Sequence, residues 1–279
     1  MGAGHSVAVP LAPSTVEETA VANDFAGKTA LITGAGRGIG RAVALELGGA
    51  GAGVILLART TAQLEETRAL LRERGVPAGR VSVLPADLAD EEDRGRAVAA
   101  ALAAGRVDIL VNNAATVEPL GPMTGIKAGD LRPAFEVNVI APAALTAAVL
   151  PGMLDAGWGR VVNVSSGIAA NPAGMVRGNA YASTKAALEA HTVNLAAELR
   201  GTGVTVNAYR PGGVDTAMQA WIRGQDAERI GSGLHERFNR SYAEGALITP
   251  EHSAAALLAL LAGDDTGAIW DVSTAPVGA

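Results

Sequence analysis

The stretch that most limits what this chain can become runs Thr29-Ala30-Leu31-Ile32-Thr33-Gly34-Ala35-Gly36-Arg37-Gly38-Ile39-Gly40. A short unbroken apolar run that halts at glycines reads as a strand buried on both faces, as in a parallel sheet. Residues 39–50 then carry a helical pattern. Glycines at such a strand-to-helix turn allow positive φ and close backbone approach, and the helix N-terminus favours a pyrophosphate. The spacing is Gly-x-x-x-Gly-x-Gly through Gly34, Gly38 and Gly40, not Gly-x-Gly-x-x-Gly. Glycine is abundant, at 35 of 279 residues. Even so, composition alone would produce Thr-Gly-x-x-x-Gly-x-Gly only about 0.03 times in a chain of this length.

The alternation continues. Strands are predicted at 54–58, 81–84, 108–111, 160–164, 204–208 and 268–272. Helices are predicted at 61–74, 90–104, 130–154 and 180–200, with a last one from Pro250. Strands alternating with helices imply right-handed βαβ units and a sheet covered on both faces. The expected fold is therefore α/β, a Rossmann-type doubly wound parallel sheet of seven strands with helices on both faces. No repeat and no second composition regime appears, so residues 27–279 read as one domain behind a flexible tail, 1–26. Residues 217–246, rich in Arg, Glu, Gly and Asn with Trp221, Phe238 and Tyr242, read as an insert at the carboxyl end of the sheet, where such folds bind ligands.

Composition removes several alternatives. The net charge of -6 argues against an electrostatic nucleic-acid binder. With no cysteine, disulfides, thiolate metal sites and a cysteine nucleophile are excluded. His5, His191, His235 and His252 lack metal-ligand spacing, so no metal is expected. No stretch reaches ~18 uninterrupted apolar residues, and Met1 to Ala12 lacks the form of a secretory signal. Gly2 and Ser6 fit only a loose myristoylation pattern. The expectation is a cytoplasmic protein without membrane attachment.

Chemistry is concentrated in rare residues. The chain has three tyrosines and three lysines, yet Tyr181 and Lys185 stand four apart at the start of a predicted helix, which puts both side chains on one face. A phenol with a pKa near ~10 is a poor base at neutral pH unless a nearby cation stabilises its anion. Lys185 would supply that charge, and Tyr181 could then exchange a proton with an alcohol or carbonyl oxygen. Ser166, after a strand, could hydrogen-bond the same oxygen.

With these residues in view, the chain resembles the single-domain short-chain dehydrogenases/reductases of about 250 residues, from about Lys28 to Val272. The resemblance rests on Thr33 to Gly40, Asn112-Asn113-Ala114, Asn138, Ser165-Ser166, Tyr181-x-x-x-Lys185 and Pro211-Gly212, in the family's order. It implies an Asn138, Ser166, Tyr181 and Lys185 tetrad and hydride transfer between a nicotinamide and a carbonyl or carbinol carbon. It further implies that Lys185 binds the nicotinamide ribose and that Asn138 holds a water linking Lys185 to solvent. Cofactor contacts carried over are Gly34, Arg37, Gly38, Ile39, Gly40, Arg59, Asp87, Leu88, Asn113, Ala114 and Ala115. Tyr181, Lys185, Pro211, Gly212, Val214 and Thr216 complete that set. Three departures stand out. Ala115 replaces the family's glycine, the span from Ser166 to Tyr181 is about two residues longer than usual, and Ser273-Thr274-Ala275-Pro276 replaces a glycine-rich end.

An NAD-preferring site carries Asp or Glu about 20 residues past the glycines. Here that place holds Ala58, followed by Arg59, with Arg37 inside the glycine turn. Guanidinium groups suit a 2′-phosphate, so the expected cofactor is NADP(H), with Asp87 against the adenine. The expected partners are a small carbonyl or alcohol substrate and, by the resemblance, further copies of the chain in a homotetramer or homodimer. The competing readings are an NAD-linked alcohol or sugar dehydrogenase, a non-catalytic nucleotide-binding relative, and an epimerase or dehydratase on the same fold.

Overall fold

The computed structural model describes residues 25–275. The strands are β1 (Thr29–Thr33), β2 (Gly53–Ala58), β3 (Val81–Pro85), β4 (Ile109–Asn112), β5 (Gly159–Val164), β6 (Val204–Arg210) and β7 (Ile269–Asp271). They form one seven-stranded sheet in the order β3-β2-β1-β4-β5-β6-β7, and every pairing is parallel. The order reverses between β1 and β4, and the crevice outside the carboxyl ends of those strands is where an open α/β sheet receives a ligand.

Both faces are covered, as the unbroken apolar strands require. Ile32, Leu56 and Val111 pack on one side with α1 (Gly38–Gly49), α2 (Thr61–Glu73) and α10 (Pro250–Leu261). Leu31, Leu57 and Leu110 pack on the other with α3 (Glu91–Ala103), α5 (Ala141–Asp155) and α6 (Asn179–Glu198). Adjacent strand residues point to opposite faces, and Leu31 and Ile32 are both fully buried.

The helix expected over 130–154 is not a uniform one. It consists of α4 (Ala128–Phe135), a π turn over Glu136–Ile140, and α5. The sequence accounts for part of this, because Pro142 has no N–H and leaves the Asn138 carbonyl without an α-helical partner. By length and mean hydropathy, 1.8, the run Ala128–Asp155 could cross a membrane. Here Leu145, Val149 and Met153 are buried in the core instead.

The last strand is shorter than expected. Val272 leaves the sheet for a 3-10 turn whose cap is Asp271, which accepts from the Ser273 N–H. The insert forms α7 (Ala217–Arg223), α8 (Ala227–Ile230) and α9 (Ser232–Ala243). Its ends are tied together by the bridge of Val214 with Ile248. Most of the 1–26 tail, with Gly2, Ser6 and His5, lies outside the described residues. Of its last two residues, Phe25 is buried in the core and its N–H bonds to the Ala50 carbonyl.

Candidate active site

A cleft of about 990 Å³ opens at the carboxyl ends of the strands, near the upper end of the volumes typical of ligand pockets. It runs from the glycine turn and the end of β2, past the end of β4, to Tyr181, Lys185 and the segment after β6.

The glycine turn is shaped by contacts that side chains would break. A Cβ on Gly40 would lie 2.4 Å from the Gly34 carbonyl oxygen and 2.5 Å from the Asn113 amide nitrogen. Gly34 and Gly38 have φ of 67° and 55°, the left-handed region where glycine is at ease. Thr33 and Asn113 lock β1 to β4. The Thr33 hydroxyl oxygen accepts from the N–H groups of Asn113 and Ala114, each at 2.9 Å. The Asn113 amide donates to the Thr33 carbonyl at 2.9 Å.

Arg37 and Arg59 both line this end of the cleft and are exposed. Neither enters an ion pair among the described residues. Ala58 beside them offers no carboxylate. Two free guanidinium groups next to a helix N-terminus with close glycine backbone fit a phosphate-bearing dinucleotide.

Of the other expected cofactor contacts, Ile39, Leu88, Ala114, Ala115, Pro211 and Thr216 line the cleft. Gly40, Asp87, Gly212 and Val214 do not stand on its wall. Asp87 spends one carboxylate oxygen accepting from the Ala89 N–H at 3.0 Å. Gly212, with φ 80°, serves a close approach, since a Cβ there would lie 2.9 Å from Val272. Thr216 caps α7 by accepting from the Gln219 N–H.

At the other end, the first turns of α6 bring Tyr181 and Lys185 to the cleft. The Lys185 ammonium lies 5.8 Å from the centre of the Tyr181 ring and donates to the Val164 carbonyl at 2.7 Å. Ser166 caps the short turn after β5, accepting from the Ile168 N–H. Burial raises the Tyr181 phenol above its ordinary range, and a hydrogen bond with Ser166 pulls it partly back. The direction is opposite to the lowering expected from Lys185, because desolvation of the phenolate dominates here.

Asn138 does not touch Lys185 with its side chain. Its amide is wholly spent on protein: the oxygen accepts from the Thr116 N–H, and the nitrogen donates to the Thr116 carbonyl and the Thr184 hydroxyl.

Sequence reasoning missed Glu189, one helical turn beyond Lys185. It accepts from Nε and one terminal nitrogen of Arg210, each at 2.8 Å, and from the Ser165 hydroxyl at 2.7 Å. The i, i+4 spacing of Lys185 and Glu189 was the available signal. Thr116 and Thr184 carried none.

Burial lowers the Lys185 pKa from 10.5 to about 8, against the pull of Glu189. Below pH ~8 the lysine is charged in both folded and unfolded chains; between about 8 and ~10.4 the unfolded chain holds more protons, so stability rises with pH there. Lys185→Met removes this dependence. In urea titrations the stability difference between variant and parent is expected to move by about 3 kcal/mol in the parent's favour from pH ~7 to ~10.4. A difference that stays flat with pH contradicts the assignment.

The family model described as short chain dehydrogenase matches residues 28–227. A short chain dehydrogenase of Pseudocercospora fijiensis is 41% identical over 199 residues, 70% of this chain and 62% of that protein, so the match spans less than two thirds of that relative. A variant of the actinorhodin polyketide ketoreductase, solved with NADPH, superimposes with a TM-score of 0.78 at 32% identity, covering 90% of this chain and 96% of that one. The 3-ketoacyl-(acyl-carrier-protein) reductase of Brucella melitensis, solved with NADH, gives a TM-score of 0.74 at 28% identity over 88% and 97% of the two chains.

Proposed function

Because this chain belongs to the short-chain dehydrogenase/reductase family, we propose that it is an NADP(H)-dependent oxidoreductase acting on the carbonyl or secondary alcohol of a small molecule. One observation carries the reading. A single cleft joins Arg37 and Arg59 beside the glycine turn to Tyr181 and Lys185 at its far end. Nicotinamide, when bound, supplies or accepts the hydride; positioning and proton management fall to the protein.

In reduction, the substrate oxygen accepts hydrogen bonds from the Ser166 and Tyr181 hydroxyls. Tyr181 gives its proton to that oxygen as charge develops there. The Lys185 ammonium stabilises the tyrosinate left behind and holds the ribose. The Asn138 carbonyl holds a water through which the proton is replaced from solvent. Ala115, in place of the family's glycine, lines the cleft and would stand near a bound nucleotide. Oxidation runs the same steps in reverse.

The reading is tested by following NADPH absorbance with the purified protein against a panel of ketones, and NADP reduction against alcohols. Turnover of at least one member is expected. No turnover with either nicotinamide across the panel would sink it.

The same reading includes self-association. On α6, Val193 is 44% exposed, and Ile140 and Leu154, at the two ends of α5, are 46% and 39% exposed. Ala186 and Ala190 on α6 are also exposed. Helices apolar on a second face need a second partner surface, and a homotetramer or homodimer supplies it. Light scattering at micromolar concentration is expected to give a multiple of 28.0 kDa. A monomeric mass contradicts the assignment.

A further inference from the structure

The part of the cleft walled by Leu120, Met218 and Tyr181 belongs to a third apolar cluster, whose buried members include Val117, Met175, Ile222 and Ile230. One cation interrupts it. Arg229, in α8, lines the cleft.

Arg229 is held from two sides. The adjacent Ile230 is fully buried. Arg177, in the lengthened loop after β5, donates to the carbonyls of Glu228 and Arg229, the latter at 3.2 Å. Arg177 holds φ 68°, the only non-glycine residue in the left-handed region among the described residues, and its own carbonyl accepts from the Gly121 N–H at 2.9 Å. The Arg229 side chain is exposed and makes two hydrogen bonds. Its Nε donates to the Leu120 carbonyl at 3.1 Å, and one terminal nitrogen donates to the Gln225 amide oxygen at 3.3 Å.

A guanidinium has five N–H donors. Two of those of Arg229 are engaged, and among the described residues it has no carboxylate partner. Glu118 lines the same cleft without pairing to it. A planar cation with free donors, tied to the Leu120 carbonyl and the Gln225 amide beside apolar walls, suits a carboxylate.

We infer that Arg229 selects the substrate of this enzyme by binding a carboxylate that the substrate carries apart from its reacting carbonyl. The inference rests on the oxidoreductase reading of the site. A bracing role alone, through Leu120, accounts for the Nε bond but leaves the remaining donors without an anion.

The test compares 4-oxopentanoate, 5-oxohexanoate and 4-acetylbenzoate with their methyl esters, using NADPH. At least one carboxylate is expected to exceed its ester by about tenfold in kcat/KM, the scale of one charge-assisted hydrogen bond. Arg229→Gln removes that advantage and leaves the ester within about threefold, while Arg229→Lys, which keeps the charge without the fork, restores part of it. The advantage shrinks as salt is raised.

Two results overturn the inference alone: esters reduced as well as their acids by the parent protein, or acid and ester falling together in Arg229→Gln. If neither is reduced with either nicotinamide, the oxidoreductase reading is decided by the wider panel of ketones and alcohols. Equilibrium dialysis of 4-acetylbenzoate then decides on Arg229. Binding weakened by Arg229→Gln and partly kept by Arg229→Lys sustains the assignment, and binding absent or unchanged overturns it.

Discussion

Replacing Tyr181 by phenylalanine is expected to lower turnover with NADPH by ~10² or more, the scale of a lost general acid–base group, and to leave the fold in place. The substitution removes one hydroxyl. Ser166 stands near enough to that hydroxyl to hold its pKa down in part, while the ring remains packed against the third apolar cluster. The loss therefore falls on proton transfer. Burial raises the Tyr181 pKa, which favours the protonated donor form around neutrality and suits the reductive direction. In the oxidative direction the phenol must first lose its proton, so the alcohol reaction gains rate as pH rises while the ketone reaction does not. Near-parental turnover in the phenylalanine variant, at unchanged thermal midpoint, would remove Tyr181 from the mechanism.

The parent protein is expected to use NADPH over NADH by ~10² in kcat/KM, equivalent to ~3 kcal/mol of phosphate contact kept in the transition state. Arg37 and Arg59 both stand on the cleft wall, and among the described residues neither enters an ion pair. The position that would carry an NAD-selecting carboxylate is Ala58. An arginine fork meets a phosphate with two parallel charge-assisted bonds. Arg37→Ala combined with Arg59→Ala should erase most of the preference, chiefly by raising KM for NADPH, with the NADH value little changed. Because both side chains are exposed, the preference of the parent should also weaken with salt. Equal or better efficiency of the parent with NADH means the arginines do not read the phosphate.

Most of the fold was legible in the sequence because the sheet is parallel and buried on both faces. Such strands must be short apolar runs, and β1, β2 and β5 were found to within a residue. The glycine turn was legible because a methyl on Gly40 would collide with the Gly34 carbonyl, so few residue types can stand there. Tyr181 and Lys185 were legible because helical spacing alone sets them on one face. β7 was overextended because Val272 is apolar but turns out of the sheet behind an Asp271 cap.

The sequence by itself determined which elements form and which reactive side chains share a helix or turn, since these follow from local periodicity and backbone sterics. Tertiary structure decided how those side chains are spent. It assigned the Asn138 amide to Thr116 and Thr184, and the Ser165 hydroxyl to Glu189. It shifted Tyr181 upward by burial, although a charged neighbour was in the sequence. It also carried Arg229 from a charged insert to the wall of the cleft, 109 residues along the chain from the carbonyl that holds it. Contacts at that separation depend on how the layers pack around the β1–β4 crevice, and no local pattern encodes them.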